Sequence, residues 1–422
     1  MTTATGTFDA HRLANGLQIV GQRMPDMESV SVCFFVRTGS RDEHDPALDG
    51  VSHFLEHMVF KGTAHRDAER ITLDFNRMGA EFNAYTSFEQ TVFYARVLGQ
   101  YLPQAIDLLA DLMRPRLDGN DFSMEKNVIL EEIARAEDQP TSQAYRQLMQ
   151  AYFAGDTLGH DVLGSKESIR DLSVELMRAY QAERYAANNL VLALAGNYDW
   201  AQVVELAEQH CGAWKRGEEG RIASEIKPAP ATKVVTKAQL KQQMLMTAVP
   251  APSVEDDAIY AYQVMATILG DSSGSRLFWN IFQKGLAEGV GASMTPLDHT
   301  GLMVAYVSTT PENAKHVLDL LRAELESMQR DGVHEDELRR AKDKIISRTV
   351  LDGESTFSRM QEIVYSWVAR NEMLTLDEEI ARFEAVTVAD IQRVLARYPL
   401  TAPQVFLAYG PLEASALDLA TA

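Results

Sequence analysis

The sequence predicts two related units, each a β-sheet covered by helices, joined near the middle of the chain. Three observations carry this. The 422 residues are 46% hydrophobic and 24% charged, the balance of ordinary globular domains, and that length suggests two or three of them. A strand-then-helix pattern, residues 91–98 followed by 103–113, recurs about 210 residues later as 301–307 followed by 312–325. A later strand recurs in the same way, Asn189-Leu190-Val191-Leu192-Ala193 matching Gln404-Val405-Phe406-Leu407-Ala408. A duplicated unit in which helices cover a sheet is the simplest account.

The elements follow in order. Residues 16–20 form a short strand after a turn. Residues 29–37, Ser-Val-Ser-Val-Cys-Phe-Phe-Val-Arg, are β-branched and aromatic and read as a buried strand. Residues 38–50 are polar, with Gly, Asp and Pro, and read as a loop. A helix is expected over 51–61, with Gly62 as its stop. Leu102, Ile106, Leu109 and Met113 fall on one face of a further helix, and 125–137 continues as a helix. Residues 215–233 are charged, contain Pro and lack periodicity, as an exposed linker does. The expected division is 1–214, the linker 215–233, and 234–422.

The formal net charge is −20 with a pI near 4.9. Phosphate backbones need a basic face, so nucleic acid is not an expected partner; cationic ligands are attracted instead. No stretch approaches the roughly eighteen unbroken apolar residues of a membrane span. The N-terminal Met-Thr-Thr-Ala-Thr-Gly-Thr-Phe-Asp has neither a basic region nor an apolar core to mark it for secretion. Cys33 and Cys211 are far apart and suggest no disulfide framework. The expected location is the cytoplasm.

The chemistry concentrates at His53-Phe54-Leu55-Glu56-His57. At about 3.6 residues per helical turn, His53 and His57 project from one face with Glu56 beside them. Two neutral imidazoles so placed suit zinc. A carboxylate at their edge can take a proton from a metal-activated water, which is what amide hydrolysis needs. The order is the inverse of the commoner His-Glu-x-x-His signature. A catalytic zinc needs a third protein ligand and one open position, and the acidic helix around Glu125-Lys126-Asn127-Val128-Ile129-Leu130-Glu131-Glu132 is the obvious donor. Glu125 and Glu132 are two turns apart and share a face; Glu131 lies about 100° away from Glu132, which does not exclude it. Acidic residues on a helix are otherwise most often a solvated face.

His53-Phe54-Leu55-Glu56-His57-Met58-Val59-Phe60-Lys61-Gly62-Thr63 resembles the zinc helix of the pitrilysin and mitochondrial processing peptidase family. The resemblance continues through Gly79-Ala80-Glu81-Phe82-Asn83-Ala84-Tyr85-Thr86, Glu89-Gln90-Thr91, residues 125–132 and 159–164, and Ser275-Arg276-Leu277-Phe278. It covers most of the chain, whose length is similar to that of the short members such as the processing peptidase β subunit. It implies an α+β fold of two homologous domains, each a mostly antiparallel sheet packed with helices. It implies Zn2+ as cofactor, His53 and His57 as ligands and Glu56 as general base. The family's register selects Glu132 as third ligand, 74 residues lying between it and His57, with Glu125 tuning the site. Asn83 and Ala84 match an edge strand that pairs with an extended peptide, a mode with little side-chain selectivity.

In the second half, setting Gly270 against Gly62 puts Ala261, Val264 and Met265 at the places of His53, Glu56 and His57. The helix matching 125–132 carries Lys342 and Lys344, cations that would oppose zinc. This half is therefore expected to lack metal and to help enclose substrate. The resemblance also implies an Arg and, seven residues later, a Tyr that hold substrate. The local segment Asn280-Ile281-Phe282-Gln283-Lys284-Gly285-Leu286-Ala287-Glu288 is one residue short and places Phe282 and Glu288 there. The expectation is a zinc metalloendopeptidase acting on unfolded peptides, with a homologous partner subunit supplying Arg and Tyr and a homodimer as the form of the chain alone. A non-catalytic assembly subunit of the same fold is the alternative.

Overall fold

Packing divides the chain into two units, each drawing on three segments: Met1–Arg135, His160–Ile222 and Val350–Leu376 in the first, and Ala136–Gly159, Ala223–Thr349 and Asp377–Ala422 in the second. The computed structural model describes residues 7–218, 220–221, 226, 228–401 and 404–419; positions 1–6 of the N-terminus and positions 219, 222–225 and 227 of the expected linker lie outside these.

The first unit holds strands β1 (Phe8–Arg12), β2 (Gln18–Arg23), β3 (Ser29–Val36), β4 (Glu81–Thr86), β5 (Thr91–Leu98) and β6 (Leu190–Gly196). They form one sheet in the order β1-β2-β6-β3-β5-β4. Only the β2–β6 pair is parallel. β3 and β6 are buried along nearly their whole length, which fits their unbroken apolar runs. On one face Val30, Val32, Phe34, Phe93 and Ala95 pack against the helices Val51–Val59, Ala68–Arg77 and Leu102–Leu112. On the other, Val20, Cys33, Phe35, Val191 and Ala193 meet Met360 and Val364 of the helix Thr356–Arg370. That helix is also fixed by polar bonds: Arg359 donates to Gln22, Trp367 to Gln18, and the Thr356 and Ser31 hydroxyls lie 3.0 Å apart.

The second unit repeats the scheme with β7 (Ala231–Thr236), β8 (Gln243–Pro250), β9 (Gly289–Leu297), β10 (Thr300–Thr309) and β11 (Val405–Gly410), in the order β7-β11-β8-β10-β9. Again one pair is parallel, here the outer pair β7–β11, and the rest are antiparallel. Helices Ile259–Gly270 and Ala314–Asp331 cover one face, and Pro140–Tyr152 packs against β8 and β11. The expected α+β class with mostly antiparallel sheets therefore holds in both units. The helices Pro140–Tyr152 and Thr356–Arg370 each join the unit built mainly from the other half of the chain.

Candidate metal centre

The site is built within the first unit. Helix Val51–Val59 turns Val51, Phe54, Leu55, Met58 and Val59 into the core, at the i, i+3, i+4, i+7 spacing of an amphipathic stripe. His53, Glu56 and His57 are left on the adjoining face. Helix Gly119–Glu137 buries Phe122, Ile129 and Ile133 together with Glu125. The paired apolar stripes bring the two polar faces together.

Glu132 Oε2 lies 3.7 Å from His53 Nε2 and 3.7 Å from His57 Nε2. The three donor atoms fall within 4.8 Å of one another. A tetrahedral zinc with bonds of about 2.1 Å spaces its ligand atoms by roughly 3.4 Å, so two imidazoles and one carboxylate so disposed fit that ion. Glu131 is exposed and is not in the cluster; of the two acids that helix geometry leaves open, Glu132 is the one near both rings.

Around this cluster stand three further side chains. Glu125 Oε1 bonds His57 Nδ1 at 2.8 Å, and its other oxygen meets Lys61 Nζ at 2.5 Å. A carboxylate on one ring nitrogen fixes the imidazole with its other nitrogen free for metal. Thr86 donates its hydroxyl to Glu56 Oε2 at 2.9 Å. Asn83 and Ala84 lie on β4, the edge of the sheet, Asn83 exposed and Ala84 half-buried. Along β4, Phe82 and Thr86 point to the helix Val51–Val59 side, since Phe82 packs with Phe60 and Thr86 reaches Glu56. Tyr85 points to the opposite face, where it bonds Tyr365.

The electrostatics follow from burial. Burial pulls His53 down to about 3, helped by the neighbouring His57, and so keeps it in the neutral form that binds metal. Burial raises Glu56 above the usual carboxylate range, with Glu132 adding to the rise and Thr86 and His57 opposing it. Burial works against charging His57, but the bond from Glu125 and the charges of Glu56 and Glu132 raise it on balance. Burial would raise Glu125; the bonds to His57 and Lys61 instead hold it below its ordinary value.

Against known proteins, residues 18–166 match the insulinase family of peptidases, peptidase family M16, and residues 171–345 match its inactive domain. An uncharacterized zinc protease of Streptomyces coelicolor is 33% identical over 421 residues, spanning 97% of this chain and 90% of its own. The chain belongs to the M16 family. A second uncharacterized zinc protease of the family, from Bacillus subtilis, is 32% identical over 382 residues, 89% of this chain and 91% of that one. The fold is shared with the crystal structure of a protease from Helicobacter pylori, with a TM-score of 0.90 at 21% identity over 96% of this chain and 100% of that one. It is equally shared with that of a peptidase M16 inactive domain from Pseudomonas fluorescens, with a TM-score of 0.90 at 21% identity over 96% and 99% of the two chains. The Streptomyces coelicolor and Bacillus subtilis relatives have close to this chain's own length, which is that of the short members of the family.

Sequence reasoning gave no role to Thr86, Lys61 or Glu43. Thr86 had a signal in the period of two along β4, which puts it on the face of Phe82 and Ala84. Lys61 is one helical turn after His57 and so reaches the same acid. Glu43 had none, lying in the loop before the motif.

Proposed function

We propose that this chain is a zinc metalloendopeptidase that hydrolyses peptide bonds in unfolded peptides. What supports it is the convergence of His53, His57 and Glu132 with Glu56 beside them. When bound, zinc would polarise the substrate carbonyl and lower the pKa of the attacking water. Glu56 takes that water's proton and later returns it to the leaving amine; its raised affinity for protons suits both steps. Thr86 holds one Glu56 oxygen, leaving the other to face the reaction. Asn83 and Ala84, on a strand with β5 on one side only among the described residues, would pair with an extended peptide by main-chain bonds. A folded protein could not present such a strand, so unfolded substrates are favoured.

Glu56→Gln keeps the shape of the side chain but cannot accept the proton. Turnover of a mixed peptide library should fall by roughly 10²–10⁴-fold, with zinc content unchanged. Undiminished turnover would overturn the assignment of Glu56, and loss of zinc would move it into the ligand set.

Full activity, in the same reading, requires a homologous partner subunit that supplies the Arg and Tyr missing here; a homodimer forms when the chain is made alone. What supports this is the chemistry at the matching places. Phe282 is an exposed apolar ring with no donor for a carbonyl. Glu288 is an exposed acid bonded to Gln242, and an ionised carboxylate repels a developing oxyanion. Titrating in a family member that lacks the zinc motif but keeps Arg and Tyr should raise turnover; full turnover without it would sink the idea. A non-catalytic assembly subunit would have no need of the intact set His53, Glu56, His57 and Glu132. A reducing cytoplasm is supported by two cysteines, Cys33 and Cys211, both buried and unpaired; no helix among the described residues is long and apolar enough to cross a membrane.

A further inference from the structure

The helix that carries the metal-site residues starts without a cap of its own. Its N-cap is Gly50, in the left-handed region at φ 87°. A Cβ there would sit 2.7 Å from the Leu163 carbonyl oxygen and 2.8 Å from the Gly164 Cα. Both the backbone conformation and the space therefore demand glycine, and glycine has no side chain with which to satisfy the first N–H groups of the helix. Those groups are satisfied from a distance. Glu43, fully buried, accepts from the Gly50 N–H through one carboxylate oxygen and from the Ser52 N–H through the other, each at 2.7 Å. Ser52 is the second helical residue, and His53 follows it directly. The Ser52 hydroxyl is held in turn by the Tyr180 hydroxyl at 2.7 Å, itself 3.0 Å from that of Thr38. The first turn is thus held from outside the helix, one turn ahead of Glu56 and His57.

We propose that Glu43 is a positioning residue: its carboxylate stands in for the missing cap of the helix Val51–Val59 and so sets where His53, Glu56 and His57 lie. This rests on the zinc peptidase reading. Glu43 touches neither substrate nor metal ligand side chains; it acts through the helix start. Burial pushes the Glu43 carboxyl up to about 8, while the bonds from the Ser52 and Gly50 N–H groups pull it down, and the positive end of the helix favours its ionised form. An amide at this place would offer one acceptor and set its NH2 against the other N–H.

The test compares Glu43→Gln with native protein and with Val191→Ala, a core truncation in β6 on the sheet face that meets the helix Thr356–Arg370, which lowers stability without touching the helix Val51–Val59. Zinc affinity is measured by competition with a chelator at a temperature where all three remain folded. For Glu43→Gln it should fall about 10–100-fold, as for other partners that orient metal ligands. kcat should fall in parallel while KM stays near native, because the β4 edge is untouched; Val191→Ala should keep native affinity. If Glu43→Gln does not fold, Glu43→Asp, which keeps two acceptors one methylene short, is read in the same way. In the native protein the Ser52 amide should exchange with solvent as slowly as amides in the middle of the helix. Native zinc affinity in a folded Glu43 variant, or fast exchange at Ser52, overturns the proposal. Native protein that binds no zinc overturns the zinc reading itself, and the positioning role with it, whereas slow Ser52 exchange in such a protein would show that the anchor alone survives.

Discussion

The two units use one framework to opposite ends. Lys126 in the first donates its ammonium to the Arg170 and Leu172 carbonyls, and Lys342 in the second donates to those of Glu384 and Val386. Both lysines stand on the long helices, Gly119–Glu137 and Glu335–Gly353, and both tie the end of a later helix. That shared register sets Ala341 against Glu125 and Arg348 against Glu132. Lys342 is thus a structural tie, and the cation at the place of Glu132 is Arg348, which lies 3.5 Å from Asp271. On the preceding helix, Ala261, Val264 and Met265 are buried where His53, Glu56 and His57 are polar. The second unit has core at that place, and the first carries the polar groups His53, Glu56 and His57 there. Polar groups on a helix face cost packing, and the duplicate helix shows what that packing looks like.

The sharpest way to break this comparison is to put the base where the core is. Val264→Glu would place a carboxylate in a fully buried position with no partner built for it. An unpaired buried charge costs roughly 3–5 kcal/mol, enough to unfold a marginal unit. Glu56→Val makes the reverse exchange at the matching place in the first unit and should leave stability equal or higher, since Glu56 is desolvated there. Urea denaturation of both variants decides it. Equal losses would mean that the two helices do not share a register.

A smaller effect separates neighbours on one helix. Glu132→Gln should weaken zinc binding by about 100-fold or more, since a ligand matters at least as much as the residues that orient it. Glu131→Gln should leave it near native, because Glu131 is exposed. Zinc retained equally by Glu132→Gln and native protein after dialysis against a mild chelator would remove Glu132 from the ligand set.

Much of this is legible in the chain because it is periodic. The strand expected at 91–98 is β5 residue for residue, and β3 is the strand expected at 29–37 without Arg37. The helix expected from 51 begins at Val51 but ends at Val59, because Phe60 and Lys61 already close it as turn. The repeat at about 210 residues corresponds to real strands, β5 with β10 and β6 with β11. The spacing of His53, Glu56 and His57 is by itself enough to put three groups on one helical face. What periodicity does not carry is the partner of a face. The amphipathic helices Pro140–Tyr152 and Thr356–Arg370 announce that one side is buried, not that each covers the sheet of the other half. Glu43, Thr86 and Lys61 act across 7 to 64 residues of sequence, and no local pattern marks a contact that only the fold creates. The choice between Glu131 and Glu132 is of the same kind: helix geometry alone allows both, and the family's register is needed to select one.

The smallest predicted effect concerns the tie that the two units share. Each lysine spans from a long helix to two main-chain carbonyls, Lys126 at 2.8 and 2.7 Å and Lys342 at 2.9 Å to Val386 with a second short bond to Glu384. Charge-assisted bonds of this type contribute about 1.5–3 kcal/mol when well buried, and less where the ammonium keeps water, as a partly exposed lysine does. Lys126→Met and Lys342→Met retain most of the apolar stem and remove the donors. Each should lower stability by about 1–2 kcal/mol, and the two losses should be alike, because the bonds are alike in type and number. Lys126→Met should also leave zinc affinity near native, since its ammonium points to Arg170 and Leu172 and not to Glu125. Denaturant midpoints for the two variants, with zinc competition on the first, test both statements. A loss at one lysine and none at the other would show that the shared geometry does not mean shared energetics, and would leave the duplication a matter of fold alone.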